Sequence, residues 1–203
     1  MSFPQPAIVA TNAKSRFLEG FSPLELKVIL AAAKQRHFLP NSVVVNQGEP
    51  ADHLFLLTRG RARFFLNTAE GKKIILFWIT PGEVIGVAAL VPNPALYLAS
   101  TETVKDSSML VWDRATLRNL ASRYPRLLEN ALPIAYDYFA WYVADHVALI
   151  SHTARQRLAR VLVYLAQTIG EKVPGGFEFD VLALILQLHL RGVELTSGKG
   201  DVG

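Results

Sequence analysis

Between Val43 and Gly86 the chain breaks at Gly48, Gly60, Gly71 and Gly82, about ten residues apart, and this rhythm restricts the fold more than any other feature. The pieces between the breaks, VVVNQGEPAD, HLFLLTRG, RARFFLNTAEG and KKIILFWITPG, are short and apolar. A helix needs a 3.6-residue period sustained over ten or more residues, and no piece supplies one. Short apolar runs bounded by turn residues at regular spacing are the pattern of an antiparallel barrel or sandwich. Two more strands are expected at Tyr97–Val104 and Ser108–Trp112. Arg61 and Arg63 interrupt the alternation of apolar residues, so the registers stay open.

Helical segments flank this core. Ser22-Pro23-Leu24-Glu25 reads as a helix start: Ser22 can cap, Pro23 needs no partner in the first turn, and Glu25 can return a bond to the cap. This helix is expected to run to about Gln35, before Pro40. Asp113 can cap a short helix through Ser122, with Leu117 and Leu120 inward. Pro125 then opens a long helix in which Leu128, Leu132, Ala135, Phe139, Tyr142, His146 and Leu149 follow alternating steps of four and three. That is the a/d spacing of a coiled-coil seam, and it predicts a homodimer. Pro133 lies within this span and either kinks the helix or marks its true start. A further helix is expected from Thr153 to Ile169, with Leu158, Val161, Leu162, Leu165 and Ile169 on one face. Beyond it come the turn Pro174-Gly175-Gly176, a short FEFD strand, an apolar stretch from Val181 to Leu190, and a Gly-rich tail.

Composition narrows the function. Hydrophobic residues make up 51% of the 203 and charged residues 19%, which suits a packed core rather than disorder. No apolar run approaches the roughly 20 residues of a membrane helix, and MSFPQPAIVATNAK lacks the layout of a signal peptide. With no cysteine in the chain, disulfides, thiolate catalysis, iron–sulfur clusters and thiolate zinc sites are excluded. A cytoplasmic protein without a membrane partner is the expectation. The net charge of +4 is spread thinly: residues 1–113 hold eleven Lys and Arg against nine Asp and Glu, and each later segment balances to within one charge. Without a dense basic patch, composition neither requires nor excludes nucleic acid.

No nucleophile–base pair and no metal-ligand spacing appears. His37, His53, His152 and His189 are scattered, without His-x-His or His-x-x-x-His. No cofactor and no metal are expected, and the chain reads as non-catalytic. His146 on the seam either sets register or titrates as an interface switch. Tyr136, Tyr138, Phe139, Trp141 and Tyr142 form an aromatic belt; one seam cannot bury a whole circumference, so some rings should face the β domain. Arg155, Arg157 and Arg160 are candidate contacts to DNA phosphates, or else a solvated helix face. Ser197-Gly198-Lys199-Gly200 lacks the glycine spacing and the Ser or Thr of a phosphate loop.

The ordered set VVVNQGEPADHLFLLTRGRARFFL, GKKIILFWITPGEVIGVAAL and ARQRLARVLVYLAQ resembles the Crp/Fnr family of transcription regulators, over about Phe17 to Asp180. Gly48, Gly60, Gly71, Gly82 and Gly86 fall where that family places its turn glycines, positions that need φ > 0 or close backbone approach. The resemblance implies an α+β chain with three parts: a jelly-roll-like antiparallel β-roll sensing a small effector over residues 17–124, a dimerisation helix over 125–150, and a DNA-binding segment over 151–203. It also implies DNA as a partner. Two departures shape the expectation. Cyclic nucleotide binders of the family follow the Gly with Glu and later carry Arg-Ser or Arg-Thr; here Val87 follows Gly86, and Tyr97-Leu98 stands at the second place. The effector pocket, Gly86, Val87, Ala88, Ala89, Tyr97, Leu98 and Ala99, therefore lacks the cation a cyclic phosphate needs, and an unidentified effector other than a cyclic nucleotide is expected. After Asp180 the sequence offers only an incomplete, winged-helix-like remnant of a helix-turn-helix, so impaired DNA reading is expected of this chain. The alternative is a stand-alone dimerising sensor that does not bind DNA.

Overall fold

The computed structural model describes residues 15–93, 95–173 and 176–178. The described chain holds eight strands and four α-helices: α1 (Pro23–Ala31), β1 (Lys34–Phe38), β2 (Val43–Val45), β3 (His53–Asn67), β4 (Lys73–Ile79), β5 (Val84–Ile85), β6 (Ser100–Asp113), α2 (Arg114–Arg123), α3 (Arg126–Ser151), α4 (Ala154–Thr168), β7 (Glu171–Val173) and β8 (Gly176–Glu178). It divides into two compact units, Met1–Leu66 with Phe77–Tyr138, and Asn67–Leu76 with Phe139–Gly203.

The first unit is built on one six-stranded sheet in the order β1-β6-β3-β4, with β2 joined to β6 and β5 to β3. Successive side chains of a strand point to opposite faces, and here both faces are covered. Leu54, Leu56 and Trp112 enter one cluster with Phe17, Ile29, Leu117, Leu120 and Leu127. Phe55, Leu57, Met109 and Val111 enter the other with Val45, Ile79 and Ile85. Burial on both sides explains why HLFLLT reads as a continuous apolar run rather than an alternating one. Trp112 is fully buried and donates its indole N–H to the Ile29 carbonyl at 2.8 Å, which ties α1 to β6.

The expected helix starts are present. Ser22 and Glu25 form a reciprocal capping box on α1, Asp113 accepts from the Thr116 N–H on α2, and Thr153 with Gln156 repeats the box on α4. Each such cap is worth about 1 kcal/mol. Hydrogen bonds from the Thr116 N–H and hydroxyl hold the Asp113 carboxyl below its ordinary range. Helix α1 ends at Ala31 and not at Gln35, because residues 34–38 find a better partner in β6 and pair with it from Lys34↔Val111 to Phe38↔Ser107. Helix α3 continues through Pro133 rather than starting there.

Two strand boundaries also differ from the sequence reading. Tyr97–Val104 and Ser108–Trp112 belong largely to one strand, β6, which begins only at Ser100. Gly60 does not end a strand; β3 runs through it. All five family-type glycines have positive φ, but at Gly60 (φ 101°) the cause is a shift of register against β6 rather than a turn. A Cβ there would collide with Ser107 Oγ and approach the Asp106 carbonyl oxygen to 2.5 Å. Gly60→Ala is therefore expected to destabilise the fold by more than about 1 kcal/mol. A urea midpoint equal to wild type would contradict this account of the bulge.

In the second unit, α4 buries Val161, Leu165 and Ile169, the inner part of the predicted face, and β7 pairs with β8 in a two-stranded hairpin. The apolar stretch Val181–Leu190, His189 and the Gly-rich tail lie outside the described residues. Among those described, no helix is long and apolar enough to cross a membrane.

Candidate functional site

The effector site expected from sequence lies where β5 ends and the chain turns back toward β6. Gly86 takes a left-handed conformation (φ 84°) and caps a short 3-10 turn, Val87–Leu90. A Cβ at Gly86 would stand 2.5 Å from the His53 carbonyl oxygen and 3.0 Å from the Tyr97 ring. Gly86 and Tyr97 are thus brought together, as expected. Ala89 is buried, while Val87 and Ala88 are half-buried and pack against different clusters, one on each side of the sheet.

Tyr97, which the sequence resemblance sets at the place of a phosphate-binding arginine, is fully engaged. Its hydroxyl accepts from the His53 N–H at 3.0 Å and donates to the His53 carbonyl at 2.9 Å. Burial pushes the phenol above its ordinary pKa, so it remains protonated and keeps donating across the physiological range. Its neighbour Leu98 is 85% exposed and Ala99 half-buried. The arrangement closes the turn with an internal bond where a phosphate site would need a free cation. The nearby cation on β3, Arg63, is 15% exposed and ion-paired at 2.6 Å with Glu102, its direct cross-strand partner.

The seam residues of α3 behave as an uncovered surface. Leu128, Leu132, Ala135, Phe139, Tyr142, His146 and Leu149 are all exposed, with Leu132 72% and Phe139 64% accessible. Tyr136, Val143, Val147 and Ile150 widen the exposed apolar strip. His146 stacks on Tyr142 one turn earlier, with ring centroids 6.4 Å apart. The aromatic belt splits as its spacing implies. Tyr138 turns inward against Phe77 at 5.1 Å and Phe64 at 6.0 Å, and Trp141 packs against Tyr164 of α4.

Of the three candidate phosphate contacts, Arg157 donates to the Leu149 carbonyl at 3.1 Å and Arg160 to the Ala144 carbonyl at 3.3 Å. Both guanidiniums thus serve carbonyls of α3, and that of Arg157 lies at the last turn, where a cation suits the helix C-terminus. Arg155 is exposed. Sequence reasoning missed the Arg63–Glu102 pair, the Tyr97–His53 clamp and the inward set Phe64, Phe77 and Tyr138; only Tyr138 carried a signal, through its place in the belt. No cluster of three His, Cys, Asp or Glu side chains able to hold a metal occurs among the described residues.

With this geometry in hand, residues 35–124 match the family model of the cyclic nucleotide-binding domain. The chain is 22% identical over 163 residues to the CRP-like cAMP-activated global transcriptional regulator of Mycobacterium tuberculosis, covering 80% of this chain and 72% of that one. It is 29% identical over 113 residues to cGMP-dependent protein kinase 2 of Rattus norvegicus, covering 54% of this chain but 14% of the kinase. Among solved structures, the Thermus thermophilus catabolite activator protein shares the fold with a TM-score of 0.61 at 20% identity, over 87% of this chain and 100% of that one. The chain thus carries a domain of the cyclic nucleotide-binding type. CRP-like regulators are among its relatives, and its fold is that of the catabolite activator protein.

Proposed function

We propose that the chain is a Crp/Fnr-type transcription regulator of the cytoplasm, a homodimer paired through α3, whose effector is not a cyclic nucleotide. The observation that carries the proposal is the α3 seam: seven residues at a/d spacing, all exposed, form a strip that a monomer leaves in water. The sensing domain biases the geometry of the paired helices, and through them the spacing of two DNA-reading segments. Arg155 supplies a phosphate contact at that end, while Arg157 and Arg160 position α4 against α3. A regulator fits better than an enzyme, since the kinase relative is matched over only 14% of its length.

The effector reading rests on Val87, Tyr97 and Leu98. Val87 offers no acceptor to a ribose hydroxyl, and neither Tyr97 nor Leu98 supplies a cation. Each missing charged contact costs about 1.5–3 kcal/mol, so affinity for cyclic AMP or cyclic GMP falls from micromolar toward millimolar. Calorimetry is expected to detect no micromolar binding of either nucleotide; such binding would overturn this reading. A second reading, a dimerising sensor that does not read DNA, is favoured by the all-round apolar character of Val181–Leu190. A mobility-shift assay on the gene's own upstream region, with unrelated DNA as competitor, separates the two. Weak, salt-sensitive binding supports the sensor, and nanomolar binding that resists the competitor supports the regulator.

A further inference from the structure

The seam of α3 is aliphatic or aromatic at every position but one. His146 stands four residues after Tyr142 and three before Leu149, and all three are exposed in the single chain. In a heptad this spacing puts Tyr142 and Leu149 at d and His146 at a. Residues at a in a parallel pair face their own copies, so pairing through α3 sets His146 against the partner's His146. The imidazole lies nearly flat on the Tyr142 ring, with 19° between the planes, which keeps it along the strip.

Two neutral imidazoles fit such a desolvated layer. Protonation places two like charges in it, and the cost depends on whether an anion stands near. Among the described residues, no carboxylate pairs with His146. Glu129 and Asp137 of α3 stand at least nine residues away, and Asp137 already pairs with Arg16. Asp145, the neighbour in sequence, has a partner of its own. Helix α4, which packs against this end of α3 through Tyr164 on Trp141, carries no acid. Its charged residues are Arg155, Arg157 and Arg160, and the last two bond the Leu149 and Ala144 carbonyls on either side of His146. Three arginines against one engaged carboxylate oppose a second positive charge at this layer.

We infer that His146 makes the pairing of α3 depend on pH: the chain dimerises at neutral pH and separates in mild acid. The inference rests on the homodimer proposed above and adds a means of regulating it. An ordinary histidine in water takes up its proton at about pH 6.5, whereas one held against its own copy resists the charge. The monomer then binds more protons than the dimer, so acid favours the monomer. Pairing is at full strength above about pH 7.5 and weakens as pH falls through about 6.5. One proton withheld per dimer raises the dissociation constant about tenfold over the first unit below that value.

The test is sedimentation equilibrium of the full chain at about pH 7.5, 6.5 and 5.5 and constant ionic strength. The wild type is expected to dissociate at least about tenfold more readily at the lowest pH than at the highest. Hydrogen bonds from Ser22 and Thr116 hold the Glu25 and Asp113 carboxyls below their ordinary range, so these helix caps stay charged throughout this window. His146→Asn suits an a position of a two-stranded seam and does not titrate, so its dissociation constant should stay level with pH. The side chain is exposed in the single chain, and the substitution leaves the core intact. A wild-type constant that falls in acid would mean that an anion meets His146 across the seam, and would overturn the inference. So would a pH slope that survives in His146→Asn, which would assign the effect to another group, such as His37 beside Asp106. A chain monomeric at neutral pH defeats pairing through α3 itself, while a dimer indifferent to pH defeats only the switch.

Discussion

Replacing both Phe139 and Leu149 with Asp is expected to yield a monomer in sedimentation at micromolar concentration, where the wild type sediments as a dimer. Both side chains lie on the exposed strip of α3, 64% and 40% accessible in the single chain, and in a paired helix each would face its own copy. Asp at these points sets like charges against one another in a desolvated seam, which costs several kcal/mol, and 3 kcal/mol alone moves a dissociation constant by about a hundredfold. Neither residue belongs to the cluster around Trp112, so the thermal stability of the sensing domain should change little. A monomeric wild type, or a double variant that remains dimeric, would remove α3 as the pairing element.

The second large effect is expected inside the sheet. Trp112→Ala should cost about 3–5 kcal/mol, a substantial part of the stability of an ordinary domain. The indole is fully buried, meets Phe17 with ring centroids 6.5 Å apart, and satisfies the Ile29 carbonyl. Truncation leaves a cavity and an unpaired carbonyl together. Trp112→Phe keeps most of the volume but loses the hydrogen bond, so it should fall between wild type and Trp112→Ala in urea denaturation. Equal midpoints for the phenylalanine variant and wild type would mean that the bond to Ile29 contributes nothing.

Local chemistry was the part of this fold most open to reading from sequence. Ser22-x-x-Glu25, Asp113 and Thr153-x-x-Gln156 start helices because their partners lie three residues away, within one turn. The glycine rhythm gave the positive-φ positions, yet it could not distinguish a turn from a bulge at Gly60, because that difference is set by Asp106 and Ser107 on another strand. Gln35 was misassigned for the same reason: its helical neighbours are local and its strand partner, Leu110, is distant. In the site, the closeness of Gly86 to Tyr97 was the legible part, and the exposure of Leu98 was not. The clamp of Tyr97 on His53 and the pairing of Arg63 with Glu102 join residues 44 and 39 positions apart, and no spacing rule reaches that far.

The start of the described chain is held to α3 twice over, by Phe17 in the buried cluster of Leu127 and Ala131 and by a row of polar contacts. Asn130 donates to the carbonyls of Phe17 and Glu19 at 3.0 and 2.9 Å, Arg126 donates to that of Gly20, and Arg16 pairs with Asp137 at 2.6 Å. Most of these bonds are open to solvent, so water can replace each as it breaks. The buried ring is the rivet and the polar row its wetted margin, so residues 16–20 and the first turns of the long helix form one piece of the molecule.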